Sequence, residues 1–253
     1  MNPERSLAAP VVIILAAGQG KRMRSTLPKV LHEAAGKPLL GHVLDAARTT
    51  NPREIVVVVG HGAEEVKARF ADQGLRFALQ REQLGTGHAV AAARDVLEEV
   101  AGPYLVLFGD GPLVTPESLQ DVFQAHHSGG GGLTLLTYEV EDPSGLGRVV
   151  RTTDGALEAI VEERDAPAEL LGLREVSPGT YLLDDHLWSL LATLKSDNAA
   201  GEYYLTDLVA AYRERGLPLR AVQGFDETRL LVGVNDPEQL AVADRLLRAR
   251  RGE

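Results

Sequence analysis

The chain has 253 residues, 44% of them hydrophobic and 25% charged, the profile of a globular protein rather than a disordered or fibrous one. Its 26 Lys and Arg against 36 Asp and Glu leave a net charge of −10, which argues against an extended surface for a phosphate backbone, so no nucleic-acid partner is expected. Cysteine is absent, which excludes disulfide scaffolds, thiol catalysis and cysteine zinc sites.

No apolar run approaches the roughly 18 residues of a spanning helix, so no membrane partner is expected. Leu7 to Ala17 is mostly apolar, but Glu4 cancels Arg5 and Pro10 interrupts the run. It reads as a ragged terminus and a first strand rather than a secretory leader, and a cytoplasmic protein is expected. Val11 to Ala16 is a continuous, largely β-branched run, as in a strand buried on both faces. Leu39 to Arg48 reads as a helix, Ile55 to Val59 as a buried strand, and Ala63 to Phe70 as a helix. Arg76 to Leu79 is a shorter strand, followed by a helix from Gly87 to Val100, a strand from Tyr104 to Phe108, and a helix from Pro116 to His127. This alternation predicts right-handed crossovers and a mainly parallel sheet.

The pattern then changes. Leu133 to Val161 is strand-like, with turns at Asp142-Pro143-Ser144-Gly145 and Asp154-Gly155, which predicts antiparallel strands. Gly129 to Gly132, before it, reads as a helix stop plus turn rather than a linker. Helices return at Asp185 to Leu194, Thr206 to Arg215 and Pro237 to Arg250, the last with Asp236 as N-cap and Pro237 at its first position. Trp188 falls at helical spacing from Leu191 and Ala192 and reads as core. The pair His126-His127 reads as a polar helix end rather than a metal site, since adjacent helical residues diverge.

The most informative stretch runs from Leu15 to Lys29, LAAGQGKRMRSTLPK, directly after the first strand, where open α/β sheets bind ligands. Gly18 and Gly20 let backbone N–H groups approach a phosphate. Lys21, Arg22, Arg24 and Lys29 place four cations in nine residues with no acid among them, a local anion trap. The dinucleotide fingerprint fails because Met23 stands where a third glycine is needed, and the P-loop fails because Arg22 follows Gly20-Lys21. Pro28 opposes a helix running straight out of the glycines, so the loop is long and is expected to wrap an extended anion such as a triphosphate.

This segment resembles the L-A-A-G-x-G-T-R-M…L-P-K signature of the sugar-nucleotide pyrophosphorylases. The following Val30-Leu31-His32 and Ala35-Gly36-Lys37-Pro38 are most similar to the uridyltransferase half of the bifunctional N-acetylglucosamine-1-phosphate uridyltransferase/glucosamine-1-phosphate acetyltransferase family. Further blocks follow in the family's order: Gln83 to Ala89, Gly109-Asp110, Gly145 to Arg148, Gly201 to Asp207, and Gly233-Val234-Asn235. The resemblance implies an α/β, Rossmann-like nucleotide-diphospho-sugar transferase fold. Its mainly parallel mixed sheet would be flanked by helices and carry a small antiparallel sugar-binding section. Residues 1–235 would be the nucleotidyltransferase domain and 236–253 a C-terminal helical arm.

The residues support these roles unequally. Asp110 ends a buried strand and is a hard oxygen ligand; Asp110-Gly111 could also be a hairpin turn, but Thr115-Pro116-Glu117 reads as a helix start. The resemblance makes Asp110 and Asn235 the ligands of Mg²⁺, with Asp236 rather than Asn235 as the helix cap. A Gln80 amide has donors and an acceptor enough to read an imide edge, although a loop glutamine is also ordinary surface. The resemblance makes Gln80, Gly85 and Thr86 uracil readers and His88 a surface or core histidine. It places Gly147, Glu162, Ser177, Tyr204 and Thr206 around the sugar, and Leu15, Ala17, Gly18, Gly20 and Gly109 among the other substrate-binding positions. Glu162 read alone is one member of a charge cluster, Glu162 to Asp165. Arg22 and Lys29 are the implied catalytic cations.

Two departures stand out. Lys21 replaces the usual Thr, and Ser177-Pro178-Gly179 replaces Asn-Thr-Gly or Asn-Ser-Gly, which removes an amide donor and a backbone N–H beside the sugar. The sequence carries no hexapeptide-repeat segment after the final helix, so a monomer or weak oligomer is expected. The leading expectation is UTP plus sugar-1-phosphate giving a UDP-sugar, foremost UDP-N-acetylglucosamine, and pyrophosphate. The alternatives are a pyrophosphorylase for another sugar or base, and a non-catalytic nucleotide-binding module.

Overall fold

A computed structural model describes residues 9–97, 101–224 and 233–253. Leu7 and Ala8 of the expected ragged terminus lie outside the described residues, as do Glu98 to Val100 at the end of the expected third helix.

The run Val11–Ala16 forms β1, and a small antiparallel hairpin of β2 (Glu33–Ala34) and β3 (Lys37–Pro38) leads into α1 (Leu39–Arg48). Then come β4 (Glu54–Val59), α2 (Ala63–Arg69), β5 (Arg76–Leu79), α3 (Thr86–Arg94), β6 (Tyr104–Phe108) and α4 (Pro116–Ser128). β4 and β6 both pair with β1 in parallel, and β5 pairs with β4 in parallel. The chain therefore builds outward on one side of β1 and returns on the other, which makes the carboxyl ends of β1 and β6 a topological switch point where a crevice opens.

Alternation along each strand explains why these runs are apolar throughout. Val11, Ile13, Val56, Val58 and Val106 face one core with α3, and Val12, Ile14, Val57, Val59 and Leu105 face the other with α1, α2 and α4. Val11 to Ile14 are fully buried, each such side chain contributing about 1.5–3 kcal/mol relative to exposure. α4 starts where Thr115 and Ser118 form a reciprocal capping box and Pro116 occupies the first helical position, so the Asp110-Gly111 turn leads to a helix and not to a return strand.

The second half contains the expected antiparallel strands but differs in how they are joined. β7 (Leu133–Glu139), β8 (Arg148–Arg151) and β9 (Leu157–Val161) form, and β8 and β9 are the antiparallel hairpin that Asp154-Gly155 predicts. The turn at Asp142 to Gly145 does not join paired strands, however, because β10 (Glu175–Val176), after a short α5 (Ala168–Leu171), inserts between β7 and β8. β11 (Tyr181–Leu183) bridges β6 and β7 antiparallel to both, joining the two halves into one sheet. α6 (His186–Leu191) and α7 (Leu208–Glu214) are shorter than the pattern predicts, the latter following a 3₁₀ turn at Leu205–Asp207. α3 likewise ends at Arg94. β12 (Leu219–Gln223) adds to β7 in parallel.

α8 (Pro237–Arg250) begins as expected, with the Gln239 N–H donating to Asp236 Oδ1 at 2.8 Å. Ala243 and Leu247 bury against Met23, Leu39, Leu113 and Val234, so this helix buttresses the glycine-rich loop through Met23. Trp188 packs edge-on against Tyr104 at 5.1 Å, and His126 is buried with its Nδ1 3.2 Å from Thr134 Oγ1. Both are packing residues. Among the described residues no helix is long and apolar enough to cross a membrane.

Candidate active site

A cleft of about 510 Å³ opens beyond the carboxyl ends of β1 and β6, a size typical of small-ligand sites. Its first wall is the glycine-rich loop. Gly20 adopts the left-handed conformation and starts a 3₁₀ turn over Lys21–Met23, while Pro28 starts a second over Lys29–Leu31. Of the four clustered cations, only Arg22 and Lys29 line the cleft; Lys21 and Arg24 do not. Arg22 is exposed, and among the described residues its guanidinium has no hydrogen-bond or ion-pair partner. It is a free cation held at the rim.

Lys29 is half-buried and bonded. Its ammonium pairs with Asp110 and donates to Asn235 Oδ1 at 3.1 Å. One carboxylate oxygen and one amide oxygen, from positions 125 residues apart, therefore address a single point. Val234 N–H donates to the Asp110 carbonyl at 2.9 Å, which fastens the two segments together. Asp236 carries the cap of α8, so Asn235 keeps its side-chain oxygen for the cleft. Two hard oxygens converging where a cation already sits suit Mg²⁺, which takes one or two protein oxygens and completes its shell with phosphates and water. Among the described residues no cluster of three or more acidic, His or Cys side chains offers a self-sufficient metal cage.

The second wall carries Gln80, Gly85 and Thr86. Gly85 has φ +109°, and a Cβ there would stand 2.5 Å from the Tyr203 carbonyl oxygen and 2.8 Å from its nitrogen. The Tyr203 N–H donates to Leu84 O, Gly87 N–H donates to Tyr203 O, and Leu205 N–H donates to Thr86 Oγ1 at 2.9 Å. Residues 84–87 and 203–205 are thus laced together with no room for a side chain. Gly85→Ala is expected to lower the unfolding free energy by about 1–3 kcal/mol in a denaturant titration, the usual cost of such backbone strain; an unchanged midpoint and slope would show that the 203–205 segment yields instead.

The third region combines polar groups with burial. Thr206 donates to Glu162 Oε1 at 3.0 Å, and burial pushes the Glu162 carboxyl above the usual carboxylate range despite that bond. Gly147 is closely approached, since a Cβ there would stand 2.9 Å from Ile160 Cγ2 and would touch the Glu162 carboxyl at 3.5 Å. Tyr204 donates to Asp165 Oδ2 at 3.2 Å; burial, with the Asp165 charge, pushes its phenol up to about 12. Ser177 and Pro178 both line the cleft, and Ser177 Oγ lies 3.5 Å from the buried Tyr181 hydroxyl.

Leu15, Ala17, Gly18, Gly147, Glu162, Ser177, Tyr204 and Thr206 all reach this one cleft, together with Arg22, Lys29, Gln80, Gly85, Thr86, Asp110 and Asn235. Two expected substrate-binding positions do not. Gly20 sits behind Lys29, whose Cβ would lie 2.7 Å from a Cβ at position 20, and Gly109 donates its N–H to Leu15 O at 2.9 Å. Both shape the wall without lining it. Sequence reasoning missed Gln83, Phe108, Tyr181 and Glu202 as lining residues. Gln83 lay within a recognised block, whereas Tyr181 belongs to a three-residue strand with no pattern of its own.

An α/β sheet with its cleft at this switch point, walled by a cationic glycine-rich loop, is the architecture of a nucleoside-triphosphate transferase. Residues 12–213 match the model of the MobA-like NTP transferase domain, and the chain belongs to that family. It is 49% identical over 236 residues to the bifunctional protein GlmU of Paraburkholderia phytofirmans, 47% over 242 residues to that of Thermus thermophilus, and 44% over 244 residues to that of Enterococcus faecalis. These matches cover 93–95% of this chain but 51–52% of each relative, so the chain spans about half the length of the curated relatives it matches.

Proposed function

We propose that the chain catalyses nucleotidyl transfer from UTP to a sugar-1-phosphate, foremost N-acetylglucosamine-1-phosphate, releasing pyrophosphate and a UDP-sugar. One observation carries the reading: the two cations selected by the fold, Arg22 and Lys29, share a cleft with the converging oxygens of Asp110 and Asn235. The likeness to the GlmU proteins over nearly the whole chain supports the choice of substrates. We take residues 1–235 as the transferase unit and 236–253 as an arm that braces it, acting in the cytoplasm as a monomer or weak oligomer.

A sugar phosphate has a second pKa near 6, so at pH 7 its oxygen is already an anionic nucleophile and needs no general base. It attacks the α-phosphorus of UTP, a new O–P bond forms, and the α–β bridging bond breaks with its electrons on pyrophosphate. Arg22 and Lys29 hold the triphosphate in line and take up the charge that develops on the leaving group. Asp110 and Asn235 would hold Mg²⁺, which when bound supplies further charge neutralisation across the phosphates. Gln80 and Gly85 meet the uracil. Glu162, Thr206, Tyr204 and Gly147 meet the sugar.

Pyrophosphate release with Mg²⁺, each nucleoside triphosphate and a panel of sugar-1-phosphates tests this. Release with UTP and N-acetylglucosamine-1-phosphate is expected. A strong preference for CTP overturns the uracil assignment, and UTP binding without release for any sugar phosphate identifies a non-catalytic module. Ser177 and Pro178 in the cleft wall favour a second reading, a different sugar. If N-acetylglucosamine-1-phosphate is the substrate, Ser177→Asn should raise its kcat/KM relative to glucose-1-phosphate by about 10-fold, the worth of one hydrogen bond; a falling ratio points to the other sugar.

A further inference from the structure

Gln80 is 4% exposed, and its amide nitrogen is fully engaged. Nε2 donates to the Gly85 carbonyl at 3.0 Å and lies 3.1 Å from His88 Nδ1. A backbone carbonyl only accepts, so the amide nitrogen and not the oxygen must face Gly85, and the second amide hydrogen is left for the histidine. His88 Nδ1 then has to be the acceptor, which requires the neutral ring protonated at Nε2. Gln80 Oε1 makes no hydrogen bond among the described residues, yet it is not among the polar atoms sealed from solvent. Gln80 lines the cleft, and Oε1 is the amide atom left without a protein partner among the described residues.

We propose that His88 is a positioning residue for base selection: by occupying the second amide hydrogen of Gln80, it leaves that side chain to present an acceptor alone to the bound base. The inference rests on the uracil reading above. An oriented acceptor pairs with the imide N–H of uracil and opposes the lone pair at the same ring position of cytosine. With His88 removed, the amide keeps one tether to Gly85 and gains a hydrogen with no fixed partner, so Gln80 loses its single orientation and its bias against cytosine.

The test has three arms. Ring ¹⁵N NMR on the nucleotide-free protein should show His88 as the Nε2–H tautomer; an Nδ1–H tautomer overturns the proposal whatever the base. Steady-state kinetics should show that His88→Ala raises KM for UTP about 5- to 10-fold with kcat nearly unchanged, and lowers the UTP-over-CTP ratio of kcat/KM by a similar factor, as expected for one lost hydrogen bond. His88→Asn, whose Oδ1 stands at the place of Nδ1 as an untitratable acceptor, should restore the ratio. An unchanged ratio in His88→Ala, or no rescue by Asn in a protein that melts like the parent, overturns the positioning role. A parent enzyme with no preference for UTP instead overturns the uracil reading, while the tautomer still decides the contact.

Discussion

Arg22→Ala and Lys29→Ala are each expected to lower turnover by about 10²–10³, the usual cost of deleting an electrostatic contact made to charge that develops in the transition state. The two substitutions should differ in their side effects. The Arg22 guanidinium is exposed and without a partner among the described residues, so its removal leaves nothing unpaired and the melting temperature should stay at the parent's value. Lys29 is half-buried and neutralises Asp110, so Lys29→Ala leaves a carboxylate facing the cleft alone and should lower the melting temperature as well. Near-parental turnover in either variant removes that residue from the proposed role. Lys21→Ala is the internal comparison: it carries the same charge in the same loop but does not line the cleft, and should change turnover little.

Asp110→Asn is the other large effect. It keeps the shape and one oxygen but removes the charge that a hard dication needs, and it leaves the Lys29 ammonium without its counter-ion. Turnover at limiting Mg²⁺ should fall at least as far as in Lys29→Ala, and excess Mg²⁺ should rescue it only in part. Full activity at low Mg²⁺ would remove Asp110 from the proposed metal site. Because Asn235 reaches the same point through its amide oxygen, Asn235→Ala should raise the Mg²⁺ concentration needed for turnover, as Asp110→Asn does but by less, a neutral ligand contributing less than a charged one.

The arrangement around Asp110 also explains how a site for anions can rest stably in an acidic protein. Lys29 has a carboxylate partner inside the molecule, whereas Arg22 has none among the described residues. One cation is therefore held in reserve inside the cleft, and the other stands ready at its edge. Met23 lies between them in sequence and anchors the loop in a small core with α8, so the loop's position depends on a helix more than 200 residues away.

The amino-acid sequence alone determined the parallel half of the sheet. β1, β4 and β6 are apolar on both faces because helices cover both, which makes them continuous runs, and α4 and α8 announce themselves by Thr115-Pro116 and Asp236-Pro237 at their starts. The glycine-rich loop and Asp110 stood out because each follows one of these strong strands, whereas Asn235 was picked out by the family resemblance. β10, β11 and β12 were not. Two have only two or three residues and β12 is half-exposed along its length, so none has a period to read; each is defined by partners far away in the chain, as Tyr181 is by Val106 and Leu135. Tertiary structure alone decided that Lys29 is paired with Asp110 and Asn235, that Gly20 and Gly109 shape the cleft wall rather than line it, and that Gln80 is held between Gly85 and His88. Local pattern records how a segment shares itself between water and core. The direction a side chain takes from a turn, and what meets it there, depends on segments that the pattern of that turn does not contain.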